Sequence, residues 1–225
     1  MPCLNEADSI GSVLDEIARD AADVDVLVID DGSDDRTTEV ARRRVKVVSL
    51  PRTLGIGGAV QTGIRYAARK GYAFCIQIDG DGQHPAAGIR PLIQEWRETG
   101  ADLVIGSRYL TEKGFQSSRP RRAGMIAISP CIRCLFGACS SDPTSGFRLL
   151  GRRAIERFAD DYPPDFPEPI SIAMALAAGL RVTEVPVAMR ARTSGRSSIS
   201  GLLRPSAYVL RVCASLFLIR LRRRR

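Results

Sequence analysis

Histidine is almost missing from this 225-residue chain, His84 being the only one. Six cysteines occur, at Cys3, Cys75, Cys131, Cys134, Cys139 and Cys213. Cys131 and Cys134 make a C-x-x-C, but a zinc site needs a second ligand pair, and the single histidine lies far upstream. The cysteines are therefore read as small buried side chains. With no secretory signal ahead of Cys3, they are read as cytoplasmic thiols. Aromatic residues make up 6% of the chain and are not interleaved with basic ones, which excludes a nucleic-acid-stacking surface. Long apolar runs are absent too. The best, Val212 to Ile219, would rise only about 12 Å as a helix, well short of a bilayer core, so a membrane-spanning helix is not expected.

What remains is a hydrophobic content of 44%, enough for a core, and a length that suits one domain. The reading places that domain at residues 1–200 and a basic amphipathic tail at 201–225. Lysine and arginine outnumber aspartate and glutamate by 33 to 25, a net charge of +8, which points to an anionic partner. The tail closes on Arg220, Arg222, Arg223, Arg224 and Arg225. As a helix it would group Tyr208, Val209, Val212, Leu216, Phe217 and Ile219 on one face, beside Arg211. Such a face can lie peripherally on an anionic membrane or pack on the domain.

Along the chain, helical and strand patterns alternate. Asn5 resembles a helix cap ahead of Ile10, Val13, Leu14 and Ile17 at helical spacing. Residues 24–29 read as a strand, 37–44 as a helix and 45–50 as a strand. Gly55 to Gly58 read as a glycine-rich turn before a helix, and 72–78 as a strand. Ile89, Leu92, Ile93 and Trp96 mark another helix, and 103–105 a buried strand. Further on come a loop, a helix over 125–136, a proline-broken stretch, a helix over 170–178, and an edge strand over 180–187 that tolerates Pro186. This alternation predicts an α/β fold with a mainly parallel sheet. In such sheets ligands bind beyond the carboxyl ends of the strands, where Asp30-Asp31, Asp79 to Gln83 and Ser107-Arg108 all fall.

Asp79-Gly80-Asp81-Gly82-Gln83 carries the clearest chemistry. In extended backbone, residues two apart project to one side. Two carboxylates and an amide oxygen then suit a hard cation such as Mg²⁺ or Mn²⁺. Asp30-Asp31-Gly32-Ser33 offers acceptors for a base or ribose, with Ser33 or Asp34 expected to cap the next helix. Arg108, Arg121, Arg122, Arg192 and Arg196 are candidate phosphate clamps.

Together these segments resemble glycosyltransferase family 2, in its dolichol-phosphate mannosyltransferase and polyprenyl-phosphate glycosyltransferase branch. The resemblance rests on Pro2-Cys3-Leu4-Asn5-Glu6, Asp30 to Ser33, Asp79 to Pro85, Gly106 to Tyr109, Asp142 to Arg148 and Arg192 to Ile199, in one order. It implies a GT-A fold with its first strand truncated at Met1. Nucleotide-sugar contacts are implied for Pro2, Leu4, Asn5, Glu6, Ile29, Asp31, Asp79, Gly80 and Asp81. Asp79, Asp81 and Gln83 are implied to hold the metal, with Asp81 and Arg108 as catalytic residues. Phosphate or acceptor contacts fall to Arg108, Arg122, Asp142, Ser145, Arg148, Arg192 and Arg196. The implied reaction is inverting transfer from a UDP- or GDP-sugar to a polyprenyl phosphate. A saccharide or small-metabolite acceptor, or a nucleotide-sugar-binding protein without turnover, are the alternatives.

Overall fold

The computed structural model describes residues 1–111, 119–138, 140–191 and 205–222, and of 119–127 and 205–206 the backbone alone. The elements run β1 (Pro2–Cys3), α1 (Ile10–Asp20), β2 (Leu27–Asp30), α2 (Thr37–Arg42), β3 (Lys46–Ser49), α3 (Gly55–Lys70), β4 (Phe74–Gln77), α4 (Ile89–Thr99), β5 (Leu103–Ser107), α5 (Arg119–Phe136), β6 (Arg148–Gly151), α6 (Arg152–Asp160), α7 (Pro167–Ala177), β7 (Val182–Pro186) and α8 (Pro205–Arg222).

The fold is α/β, as the alternation predicts, but its strands divide between two sheets. The first, β1-β2-β3, is parallel throughout. The second has the order β4-β6-β5-β7. There β6 runs antiparallel to both neighbours, while β5 and β7 are parallel. The expectation of a mainly parallel sheet therefore holds for the first sheet and is corrected for the second. The sequence pattern marks no strand at 148–151 and takes Arg148 only as the end of the segment Asp142 to Arg148, whereas these four residues form a buried strand. The expected edge strand is β7, at the rim, where Pro186 costs little.

The first strand, where the sequence resemblance implies a truncation, is two residues long, Pro2 and Cys3, and covers only Ile29 and Asp30 of β2. Beside it a cavity of about 650 Å³ separates the sheets, lined by Leu27 and Ile29 on one side and by Phe74, Cys75 and Ile76 on the other. The Met1 amine points into this region, donates to the Leu27 carbonyl at 2.9 Å, and has its pKa lowered by burial.

Local sequence explains most elements. Ile10, Val13, Leu14 and Ile17 form the buried stripe of α1. Helices α3 and α4 stop at Gly71 and Gly100, whose φ of +74° and +60° make left-handed caps. Pro167 does not break the chain but opens α7, where its missing N–H costs nothing. The glycines at 55–58 form the first turn of α3 rather than a loop before it. A Cβ on Gly57 would sit 2.4 Å from the Pro163 carbonyl, so this glycine permits close approach.

Helix α8 packs into the domain. Val212 and Leu216 are fully buried in one cluster with Ile128, Ile132, Phe158 and Ile172. Tyr208, Val209 and Ile219 pack against the same cluster. The apolar face foreseen for a membrane is thus mostly the face that closes the core. Leu210, Phe217, Leu218 and Leu221 are the large apolar side chains of α8 left exposed.

Candidate functional site

The carboxyl ends of β1, β2, β4 and β5 gather the polar segments. Asn5, at φ +55°, joins two of them: its amide donates to Ser33 Oγ at 2.9 Å, and its Oδ1 accepts from the Asp34 amide at 3.0 Å. It is therefore a staple between loops rather than a cap on α1. Ser33 and Asp34 do not cap α2 either, because Asp35 Oδ1 takes the Thr37 amide at 2.8 Å. Glu6 is buried and accepts from Ser9 at 3.0 Å. Asp31 caps α3 from a distance, receiving the amides of Leu54 at 2.7 Å and Gly55 at 2.9 Å. Burial pushes its carboxyl pKa up, against the pull of those two amides. An ionised carboxylate accepts at about four lone-pair sites, so capacity for a ligand donor remains. Pro2 and Ile29 are buried and Leu4 is exposed.

After β4 the acidic loop folds under β1, where Gly80 lies so close to Cys3 that a Cβ would meet its Sγ at 2.7 Å. Asp81 is buried and accepts the Gln83 amide at 2.9 Å. His84 is also buried, stacked on Phe147 with centroids 5.1 Å apart. Its Nδ1 accepts the Asp79 amide at 3.1 Å, so the ring hydrogen sits on Nε2. The 3.7 Å approach of Nδ1 to Asp79 Oδ2 is accordingly a contact, not an ion pair. Asp79 Oδ1 is buried and has no hydrogen-bond partner among the described residues. Such an atom is costly unless something fills its coordination. Hard oxygens with one carboxylate oxygen unspent fit Mg²⁺ or Mn²⁺. Among the described residues no group of three or more His, Cys, Asp or Glu is placed to hold a metal ion by itself.

The third segment closes on this loop. A Cβ on Gly146 would lie 3.3 Å from Asp79 Oδ2 and 3.2 Å from Gln77 Nε2. Ser145 Oγ donates to the Gly106 carbonyl at 2.7 Å. Arg108 and Asp142 form a buried bidentate pair, with Nε–Oδ2 and Nη2–Oδ1 both at 2.7 Å, and Nη2 also donates to Thr144 at 3.0 Å. Hydrogen bonding to Asp142 holds the Arg108 pKa up despite burial.

Two residues expected at the acceptor phosphate have other work. Asp142 is fully buried beneath Arg108. Arg148 is 1% exposed and spends its guanidinium on the carbonyls of Ser145 and Glu168 and on Ser171 Oγ. It holds the 145–148 turn from inside. Arg192 and Arg196 lie outside the described residues, and Arg122 is described in its backbone alone. Just before them, the Arg190 amide donates to the Gln83 carbonyl at 2.9 Å, and its guanidinium is paired with Glu16. Sequence reasoning missed Glu184, which holds the 140–142 turn. Inside a strand of ordinary composition it gave no signal.

Two sheets flanked by helices, with an acidic loop beyond β4 at their carboxyl ends, have the architecture of a GT-A glycosyltransferase. Residues 1–158 match the model of glycosyl transferase family 2, and the chain belongs to that family. It is 29% identical over 213 residues to polyprenol monophosphomannose synthase of Mycolicibacterium smegmatis, covering 89% of this chain and 80% of that one. Undecaprenyl-phosphate mannosyltransferase of Micrococcus luteus is 30% identical over 212 residues, covering 89% and 86%. Glucosyl-3-phosphoglycerate synthase from Mycobacterium tuberculosis, solved with Mn²⁺, UDP-glucose and phosphoglyceric acid, superposes with a TM-score of 0.73 at 22% identity, over 97% of this chain and 77% of that one. That likeness is one of fold.

Proposed function

We propose that the chain moves a sugar from a UDP- or GDP-sugar to a polyprenyl phosphate, with inversion at the anomeric carbon. The observation that carries this reading is the meeting of Asp79, with its unspent Oδ1, and the Gly146 turn that the Arg108–Asp142 pair braces. The names of the two relatives supply the acceptor class.

Pro2, Leu4, Asn5, Glu6, Ile29, Asp31 and Gly80 form the donor side. Asp79, Asp81 and Gln83 are the residues that would hold Mg²⁺ or Mn²⁺, which would offset charge on the departing diphosphate. Arg108 and Ser145 form the acceptor side, where positive charge aligns a phosphate oxygen opposite the leaving group; Arg122, Arg192 and Arg196 are proposed for the same role on their sequence alone. A hydroxyl acceptor needs a general base. The chain's one imidazole is spent on the Asp79 amide, whereas a lipid phosphate arrives already anionic.

A lipid acceptor also brings the protein to a membrane surface. Among the described residues no helix is long and apolar enough to cross a membrane. Exposed Leu210, Phe217, Leu218 and Leu221, with Arg211 and Arg222, support peripheral contact through α8.

The test is transfer from a panel of UDP- and GDP-sugars to a polyprenyl phosphate with Mn²⁺ or Mg²⁺. Transfer that vanishes with chelator and in Asp81→Ala supports the proposal. Transfer only to saccharides or metabolites overturns the lipid-phosphate acceptor, and donor binding without turnover overturns catalysis.

A further inference from the structure

Glu184 sits on β7 opposite Ile105 of β5, two residues before the strand end that carries Ser107 and Arg108. Paired strand neighbours share a face, as do residues two apart. Its carboxylate thus lies on the Ser107 face and reaches the turn that carries Asp142. There Oε1 accepts from Ser140 Oγ at 2.6 Å and from the Ser141 amide at 3.0 Å. Oε2 accepts from the same amide at 2.9 Å and from Ser141 Oγ at 2.6 Å. The Asp142 amide approaches Oε1 at 3.5 Å.

The hydroxyl directions follow from charge. A carboxylate only accepts, so the Ser141 hydroxyl points its hydrogen at Glu184. Ser141 Oγ also lies 2.6 Å from Ser107 Oγ, so that contact must be donated by Ser107. Ser107 Oγ in turn accepts from the Tyr109 amide at 3.2 Å. One chain of donors therefore runs from the Tyr109 amide through Ser107 and Ser141 to Glu184. It spans the backbone on both sides of Arg108 and fixes the turn preceding Asp142.

We infer that Glu184 is a positioning residue, which sets the Arg108–Asp142 pair for the phosphate-bearing substrate through Ser141 and Ser107. This rests on the reading above that Arg108 borders the transfer site. Glutamine in its place keeps the shape, but in either orientation its one nitrogen faces the Ser141 amide and one serine hydroxyl that now donate to the carboxylate, so the set of acceptors that holds the turn is broken.

The experiment compares wild type, Glu184→Gln, Ser141→Ala and the double variant. The first readout needs no substrate: the side-chain Nε–H NMR signal of Arg108, its shift and its exchange with water. The expected result is exchange at least tenfold faster in Glu184→Gln, with the thermal midpoint nearly unchanged. Ser141→Ala should do the same, and the double variant should add little. The second readout is transfer, with KM for polyprenyl phosphate raised at least tenfold and donor affinity kept. An Arg108 signal unchanged in folded Glu184→Gln overturns the inference, as do fully additive effects. If the signal changes but wild type transfers nothing to polyprenyl phosphate, positioning stands and the acceptor assignment fails.

Discussion

Arg108 gives Asp142 three hydrogen bonds, from its backbone amide at 3.1 Å and from Nε and Nη2 at 2.7 Å each, and both side chains are shielded from water. Removing one partner of such a buried pair strands the other charge and costs about 3–5 kcal/mol. Asp142→Ala should therefore lower stability by that order, measured by urea unfolding. Arg108→Met combined with Asp142→Leu should recover much of the loss while leaving transfer abolished. Additive losses in the double variant would contradict the pairing.

Asp79 presents the opposite case, a buried oxygen with no hydrogen-bond partner among the described residues. Asp79→Asn removes charge there and should leave the metal-free protein as stable as wild type or more so. Mn²⁺ with a nucleoside diphosphate should raise the melting temperature of wild type and leave that of the variant unmoved. A variant still stabilised by Mn²⁺ would place the cation elsewhere.

Helix α3 contains two glycines of opposite consequence. Gly63 has ordinary room for a methyl, its nearest neighbour being Ile29 at 3.7 Å. Gly63→Ala should stabilise by roughly 0.5–1 kcal/mol through helix propensity. Gly57→Ala meets the backbone of Pro163 and Pro164 and should destabilise by about 1–3 kcal/mol. Calorimetry on the two variants checks the contrast.

Thiol reactivity should follow burial. Burial pushes the Cys3 and Cys75 thiols up to about 12, and Cys131 to about 11, helped there by a hydrogen bond with Cys213. Cys134 is exposed. Because the thiolate is the nucleophile, alkylation at pH 8 followed by peptide mass spectrometry should label Cys134 well before Cys3, Cys75 or Cys131. All should react once the chain is unfolded.

How far the sequence foretold the structure depends on what each residue does. The stripe Ile10, Val13, Leu14 and Ile17 announced α1, and Leu103 to Ile105 announced β5, because burial imposes a period that composition displays. Strand β6 escaped notice because its four residues follow directly on a glycine turn, and because Arg148, a charged residue, lies fully buried at its start. Its guanidinium is tolerated there only because the Ser145 turn and α7 together turn three oxygens toward it, and that arrangement exists in space alone. The same holds for Asn5 and Glu184, whose partners lie about thirty to forty residues away. The acidic loop was legible as a chemical group, whereas the closure of Gly146 upon it was not.

The cavity between the two sheets makes volume a variable for this protein. Compression favours whichever state fills space better, and an unfolded chain lets water into such voids. Pressure should therefore part the sheets along the Ile29–Ile76 seam before it disturbs the tightly filled cluster around Phe158 and Leu216. In a compressed solution, the half built on β1, β2 and β3 is the half that yields first.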